Sequence, residues 1–288
     1  MKSKLWTLGY WLNEWFETYK KPNLKEYSIR NIEQIIRLHI PEELKQRRLV
    51  SIEPLEVWQT LLKIPYPRQR IYTRSVLFSA FDKAYRLGYI PKNIMLSVDK
   101  PKHRRKQSSA LTISEQREFI ERLEGNRYKY LMLFYLLTGV RRNEALSLEW
   151  SDVSEDVIRI HGTKTEKSER LFPMLPSISD VLFAQRRQNI TERQKTKRGN
   201  FHDAPESIVF PFASQQVTRE FKKLCPNHHL HDLRHTFITR CAESGVNVTV
   251  CQQLVGHSTA DMTLNVYTHV MDDFKRREAQ KFQLFPQF

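Results

Sequence analysis

Leu137-Thr138-Gly139-Val140-Arg141-Arg142-Asn143-Glu144-Ala145-Leu146 is the stretch around which the rest of the chain organises itself. The apolar run from about Tyr128 to Thr138 predicts a helix, and Gly139 predicts its stop, because glycine takes a left-handed C-terminal position at little steric cost. Two arginines then fall near the start of the next helix. Helix N-terminal amides and forked guanidinium groups both suit phosphate oxygens, and Glu144, one turn on from Arg141, can hold that fork in orientation. A surface Arg–Glu salt bridge has the same spacing, so the segment alone leaves both readings open.

Upstream of this stretch, Thr112 with Glu115 three residues later forms a capping box that opens a second domain. Before it, Pro101-Lys102-His103-Arg104-Arg105-Lys106-Gln107-Ser108-Ser109 carries Lys102, Arg104, Arg105 and Lys106 with almost nothing apolar to bury. It reads as an exposed basic linker over 101–110, suited to lie along a phosphate backbone or simply to be solvated. The first hundred residues read as a small helical bundle. Leu8, Trp11, Trp15 and Tyr19 mark one helix over Trp6 to Tyr19, and Ile29, Ile32, Ile35 and Ile36 mark a second. A third helix follows Ser51 with Pro54 in its first turn, and a fourth runs from about Arg68 to Leu87 before Gly88 and Pro91 stop it.

Downstream, Ile158 and Ile160 alternate with polar neighbours, Thr163 to Ser168 is polar, and Leu171 and Phe172 resume, which predicts a small hairpin. From Gln215 onward the chain reads as helical. His231-Asp232-Leu233-Arg234-His235-Thr236 sets His231 and Arg234 one turn apart on one face, where both can address one anion. A satisfied helix-start histidine beside a surface arginine fits the same letters. Zinc is disfavoured: Cys225, His228, His229, His231 and His235 are crowded but lack a paired Cys-x-x-Cys or a second spaced ligand pair. Leu254-Val255-Gly256-His257-Ser258-Thr259-Ala260-Asp261 ends one helix at Gly256 and starts another through a Ser258–Asp261 capping box, with His257 at the joint. Tyr267 follows about two and a half turns on, within Asn265-Val266-Tyr267-Thr268-His269. A phenol of pKa about 10 is a poor nucleophile unless cations and a base assist it.

Composition narrows the partners. The 288 residues hold 47 Lys and Arg against 32 Asp and Glu, a net charge of +15, which favours a polyanion such as nucleic acid. Residues 1–100 carry 18 basic and 10 acidic side chains, so about half the excess lies there and a single basic tail is excluded. The longest apolar run, Tyr130 to Val140, is far short of the roughly 20 residues that span a bilayer, which excludes a membrane helix. Three cysteines, an odd number, and an aromatic start carrying Asn13 and Glu14 in place of a secretory leader predict a reducing cytoplasm.

Taken together, Arg141, Lys164 on the hairpin turn, His231, Arg234, His257 and Tyr267, in that order and in those contexts, closely resemble the tyrosine recombinases, the phage-type integrases. The most specific pieces are Thr-Gly-Val-Arg-x-x-Glu, His-x-x-Arg, and Leu-Val-Gly-His followed by Tyr-Thr-His. The resemblance implies a mainly α fold with a small β-sheet: a helical, SAM-like core-binding domain over 1–100 and an α+β catalytic domain over 111–270. It implies that Arg141 and Arg234 bind the scissile phosphate with His231 and His257. Tyr267 attacks to form a 3′-phosphotyrosyl link, and Lys164, or Lys167 on the same turn, protonates the leaving 5′-oxygen. No cofactor or metal enters. The implied partners are double-stranded DNA core sites, a homotetramer on two duplexes working through a four-way junction, and DNA-bending and excision accessory factors. A tail over 271–288, ending Phe282-Gln283-Leu284-Phe285-Pro286-Gln287-Phe288, is expected to dock on a neighbouring protomer or fold back on its own domain. The separate arm-binding domain of many integrases is expected to be absent. Type IB topoisomerases share the same residues and remain the nearest alternative, with a catalytically inactive DNA-binding relative behind them.

Overall fold

The computed structural model describes residues 6–101, 109–162, 169–195, 204–257, 263–264 and 266–268. The chain divides into two compact units, Met1–Lys106 and Gln107–Phe288.

The described part of the first unit is built from helices, with one antiparallel bridge between Thr7 and Arg48. Thr7 accepts the Tyr10 amide and caps α1 (Leu8–Trp15), which runs directly into a π-helical turn at Phe16–Lys20. The predicted helix to Tyr19 is therefore present but widens in its last turn, before Pro22 in a 3₁₀ turn. It is followed by α2 (Glu26–His39), α3 (Glu42–Lys45), α4 (Pro54–Lys63) and α5 (Pro67–Arg86). Proline opens both α4 and α5, where its missing amide costs nothing. Leu8, Trp11, Leu12, Trp15, Leu77 and Phe81 form the centre of the core. Burying the Trp11 indole requires a partner for its N–H, which donates to the Ala80 carbonyl at 2.9 Å. Arg74, almost fully buried, donates to the Met95, Val98 and Asp99 carbonyls and so ties the end of this unit to α5.

The second unit begins with α6 (Ile113–Arg122), whose Thr112 and Glu115 exchange hydrogen bonds as the capping box predicts. Apolar nearly all round, α7 (Lys129–Thr138) is central to the core, where Leu131, Met132 and Phe134 are fully buried. The hairpin is β1 (Val157–Ile160) and β2 (Arg170–Pro173), antiparallel with Ile158 opposite Phe172 and Ile160 opposite Arg170. After it comes α9 (Pro176–Lys195), then α10 (Ser214–Leu224), α11 (Asp232–Glu243) and α12 (Val248–Val255). Among the described residues the protein is thus mainly α with one two-stranded sheet. A smaller cluster of Ile238, Cys241, Ala242, Cys251, Val255 and Tyr267 packs between α11, α12 and the segment beyond them. Among the described residues, no helix is long and apolar enough to cross a membrane.

Candidate active site

The glycine stop at residue 139 performs two tasks. Its φ of +62° ends α7, and a Cβ there would meet the Phe237 ring at 2.5 Å, so α11 approaches α7 closely only because residue 139 has no side chain. Three residues of tight turn later, α8 (Arg142–Leu146) begins with Arg141 at its cap position. This helix is only five residues long, so the groups it offers to the cleft are side chains more than a helix terminus.

Arg141 is held on two sides. Its Nη1 donates to Glu144 Oε1 at 2.7 Å and its Nη2 to the Gly256 carbonyl at 2.8 Å, while its backbone N–H donates to Glu144 Oε2 at 2.9 Å. The Arg141–Glu144 pairing is therefore not the surface salt bridge that the spacing also allowed: the Glu144 side chain is fully buried. Arg170, on β2, donates its Nη2 to the same carboxylate at 2.8 Å and its Nε to the Leu254 carbonyl at 2.7 Å. Burial pushes the Glu144 carboxyl up, but the Arg170 hydrogen bond and charge and the Arg141 bonds outweigh it, and its pKa lies below the ordinary value.

Arg234, near the start of α11, is 2% exposed and donates Nη1 to the Gly139 carbonyl at 2.7 Å. Among the described residues, its Nε and Nη2 are buried without a hydrogen-bond partner. Burial, then the charge of Arg141, pushes its pKa down to about 9. It is still a cation at neutral pH, with two N–H groups in want of an acceptor. Arg141, His231 and Arg234 line one cleft of about 400 Å³ together with Tyr135, Asn143, Thr218 and Leu230. Burial of the His231 ring, followed by His235 and Arg234, pushes its pKa down to about 4. The residue as a whole is exposed, and water screens part of that push.

His257 follows the left-handed Gly256 that ends α12, is 9% exposed, and pairs its Nδ1 with the Thr263 hydroxyl at 2.7 Å. Burial, then Arg234 and Arg141, pushes its pKa down to about 3, so the ring is neutral at physiological pH. Tyr267 is placed differently. Its phenol is 4% exposed within the Cys241–Cys251 cluster, and its hydroxyl lies against the Cys251 thiol and makes no hydrogen bond to the described arginines or histidines. Burial, with Cys251 beside it, pushes the phenol pKa up.

The structure thus gathers Arg141, Glu144, His231, Arg234 and His257, and holds Tyr267 in an adjoining apolar cluster. Lys164 and Lys167, the linker residues Lys102, Arg104, Arg105 and Lys106, the Ser258–Asp261 capping box and the tail from 271 lie outside the described residues. Arg170 was not singled out by sequence reasoning. Its position next to the hairpin's polar turn was legible, but its partners lie 26 and 84 residues away and leave no local trace.

A helical unit followed by an α+β unit, with Arg141, His231 and Arg234 lining one cleft and His257 near both arginines, fits the class of DNA strand-transfer proteins that the sequence resembles. Residues 109–273 match the phage integrase family and residues 7–62 match the phage integrase N-terminal SAM-like domain; the chain belongs to that family, the tyrosine recombinases, whose chemistry is the cleavage and rejoining of DNA. It is 31% identical to a tyrosine recombinase of Thermosipho africanus over 73% of this chain and 75% of that relative. Against a tyrosine recombinase of Pseudothermotoga lettingae it is 28% identical, over 85% of this chain and 81% of the relative. A XerC-like tyrosine recombinase of Caldanaerobacter subterraneus is 27% identical over 54% of this chain, and there the chain spans about half of the relative, 49%. Among solved structures, a lambda integrase dimer bound to a COC′ core site superposes with a TM-score of 0.75 at 18% identity, covering 100% of this chain and 81% of that one. The Tn1549 transposon integrase in complex with a circular intermediate DNA gives 0.75 at 20% identity over 96% and 99%. At these identities the likeness concerns the fold.

Proposed function

We propose that this protein is a site-specific recombinase that cuts and rejoins duplex DNA for a phage or an integrative element, with residues 111–270 catalytic and residues 1–100 and the 101–110 linker on the DNA. One observation carries the reading: Arg234, a buried cation with two unpaired N–H donors, lies beside a cleft it shares with Arg141 and His231. A phosphodiester oxygen is the acceptor that would satisfy those donors. Attack at phosphorus gathers charge on the non-bridging oxygens, and fixed donors aimed there stabilise the transition state.

In this reading Arg141 and Arg234 hold those oxygens. With Nδ1 assigned as the acceptor of the Thr263 hydroxyl, His257 carries its proton on Nε2 and can donate it to the phosphate. His231, whose pKa is pushed down, is unprotonated at neutral pH and can take the Tyr267 proton. Tyr267 Oη then bonds to phosphorus as the P–O5′ bond breaks, and Lys164 or Lys167 protonates the released 5′-oxygen. The phenol must first leave its apolar cluster, where burial holds the proton on. The phosphotyrosyl bond conserves the phosphoester energy, so a 5′-hydroxyl from a second duplex can reverse the step without ATP. Two duplexes then need four protomers, in keeping with the lambda integrase tetramer bound to a Holliday junction that shares this fold. DNA-bending and excision factors, and a cytoplasmic setting at the nucleoid, complete the proposal.

The test is covalent capture from a pool of nicked duplexes of randomised sequence. Wild type is expected to yield a denaturation-resistant adduct on a subset of sequences, and Tyr267→Phe is expected to bind the pool yet yield none. An adduct with Tyr267→Phe would overturn the nucleophile. Captured sites that support supercoil relaxation but never recombination would favour topoisomerase action instead.

A further inference from the structure

We propose that Arg170 is a positioning residue for strand cleavage: through the Glu144 carboxylate and the Leu254 carbonyl it sets the orientation of the Arg141 fork and of the peptide that leads into His257. The proposal rests on the assignment of Arg141 to the scissile phosphate.

The bonds close a ring across three distant segments. Arg141 reaches Glu144 and the Gly256 carbonyl; Arg170 reaches the same Glu144 and the Leu254 carbonyl. Glu144, on α8, is therefore shared by two guanidinium groups, and the end of α12 is fastened by both. Removing Arg141 would leave Arg170 holding α12, whereas removing Arg170 leaves Arg141 to hold the carboxylate and α12 unaided. Arg141 keeps further N–H donors for a phosphate, but their direction is then fixed only by its own two anchors. The approach is close: a Cβ on Gly256 would meet Arg170 Nη1 at 2.8 Å, so this glycine, at φ +66°, sits directly against the guanidinium. The Arg170 side chain is 9% exposed and bonds at two points, Nε and Nη2, so a shorter or singly pointed cation cannot reproduce the geometry. Burial already pushes the Glu144 carboxyl up, and loss of Arg170 removes the largest opposing contribution. A protonated Glu144 would hold Arg141 by a weaker, uncharged hydrogen bond. Arg170 bridges the α8 carboxylate to the α12 carbonyl that leads to His257.

Single-turnover cleavage of a captured suicide duplex, measured at saturating full-length protein beside the affinity for the same duplex, tests this. Arg170→Met is expected to slow cleavage by about 10- to 100-fold, the cost of a small misplacement of a catalytic group, with affinity unchanged to within about threefold. Arg170→Lys is expected to recover part of the rate by keeping the ion pair without the Leu254 bond. In a Glu144→Gln background, Arg170→Met should cost clearly less than it does alone, because only the Leu254 route is left to lose. Full cleavage by Arg170→Met, a multiplicative loss in the double variant, or parallel loss of binding and cleavage would overturn the proposal. If Arg170→Met fails to fold, Arg170→Lys decides: slowed cleavage at unchanged affinity supports it and wild-type cleavage overturns it. Arg141→Ala separates the two levels. Normal cleavage by that variant sinks the underlying site, whereas an inactive Arg141→Ala beside a normal Arg170→Met sinks the present inference alone.

Discussion

Replacing Arg234 by Lys keeps the positive charge and removes the fork. Wild-type Arg234 spends Nη1 on the Gly139 carbonyl and still has Nε and Nη2 to offer. An ammonium on a flexible stem cannot hold that carbonyl and grip a phosphate oxygen from the same rigid plane. Arg234→Lys is therefore expected to slow single-turnover cleavage by about 100- to 1,000-fold, the order seen when one fixed transition-state donor is lost. DNA affinity should change little, because many other phosphate contacts remain; near-normal cleavage would remove Arg234 from the anion site. At this scale the sequence was informative where a functional group is announced by its immediate neighbours. The Thr-Gly-Val-Arg-x-x-Glu and His-x-x-Arg stretches picked out Arg141, Glu144, His231 and Arg234, and the structure gathers all four. Arg170 shows the limit: an arginine before Leu171 and Phe172 looks like any edge residue of a hairpin. Tyr267 shows another. Its position was legible, but its burial beside Cys251 depends on how α11 and α12 pack.

At the scale of elements, helix starts and stops were legible because they rest on local bonds. Thr112 with Glu115, Pro54, Gly139 and Gly256 all act where their residue types predict. The π-helical turn at Phe16–Lys20 was not legible, because the Leu8, Trp11, Trp15 and Tyr19 spacing continues through it. Nor was α9 singled out, since Arg186, Arg187, Gln188 and Asn189 interrupt its apolar pattern while Gln185 and Asn189 are buried and bonded to one another. Gly256 carries the element-scale prediction. Alanine there must adopt φ +66° and press a Cβ against Arg170 Nη1. Gly256→Ala is expected to cost about 1 to 3 kcal/mol of stability, read by denaturant unfolding, and to slow cleavage further than that loss accounts for. Unchanged stability and cleavage would mean that the end of α12 yields without disturbing the ring of bonds around Glu144.

For the whole molecule the deciding quantity is charge. A net +15 shared between the first hundred residues and the remainder means that DNA affinity should depend on salt through both parts of the chain. Such a dependence needs no particular packing, which is why the class of partner was legible before any element was placed. A protein contacting about 6 to 10 phosphates should lose roughly 1,000- to 100,000-fold in affinity between 50 and 200 mM salt. The linker adds four basic residues to this total if it lies along the backbone as proposed. Changing Lys102, Arg104, Arg105 and Lys106 together to alanine is then expected to reduce the slope of log affinity against log salt by about three to four, at about 0.9 per phosphate released. Anisotropy titrations of a labelled duplex across a potassium chloride series would measure it for the full-length wild type and variant. The cleavage rate at saturating protein should be unaffected, since the proposal gives none of the four a role at the reacting phosphate. An unchanged slope would place the linker away from the phosphates and leave the binding charge to the two units it joins.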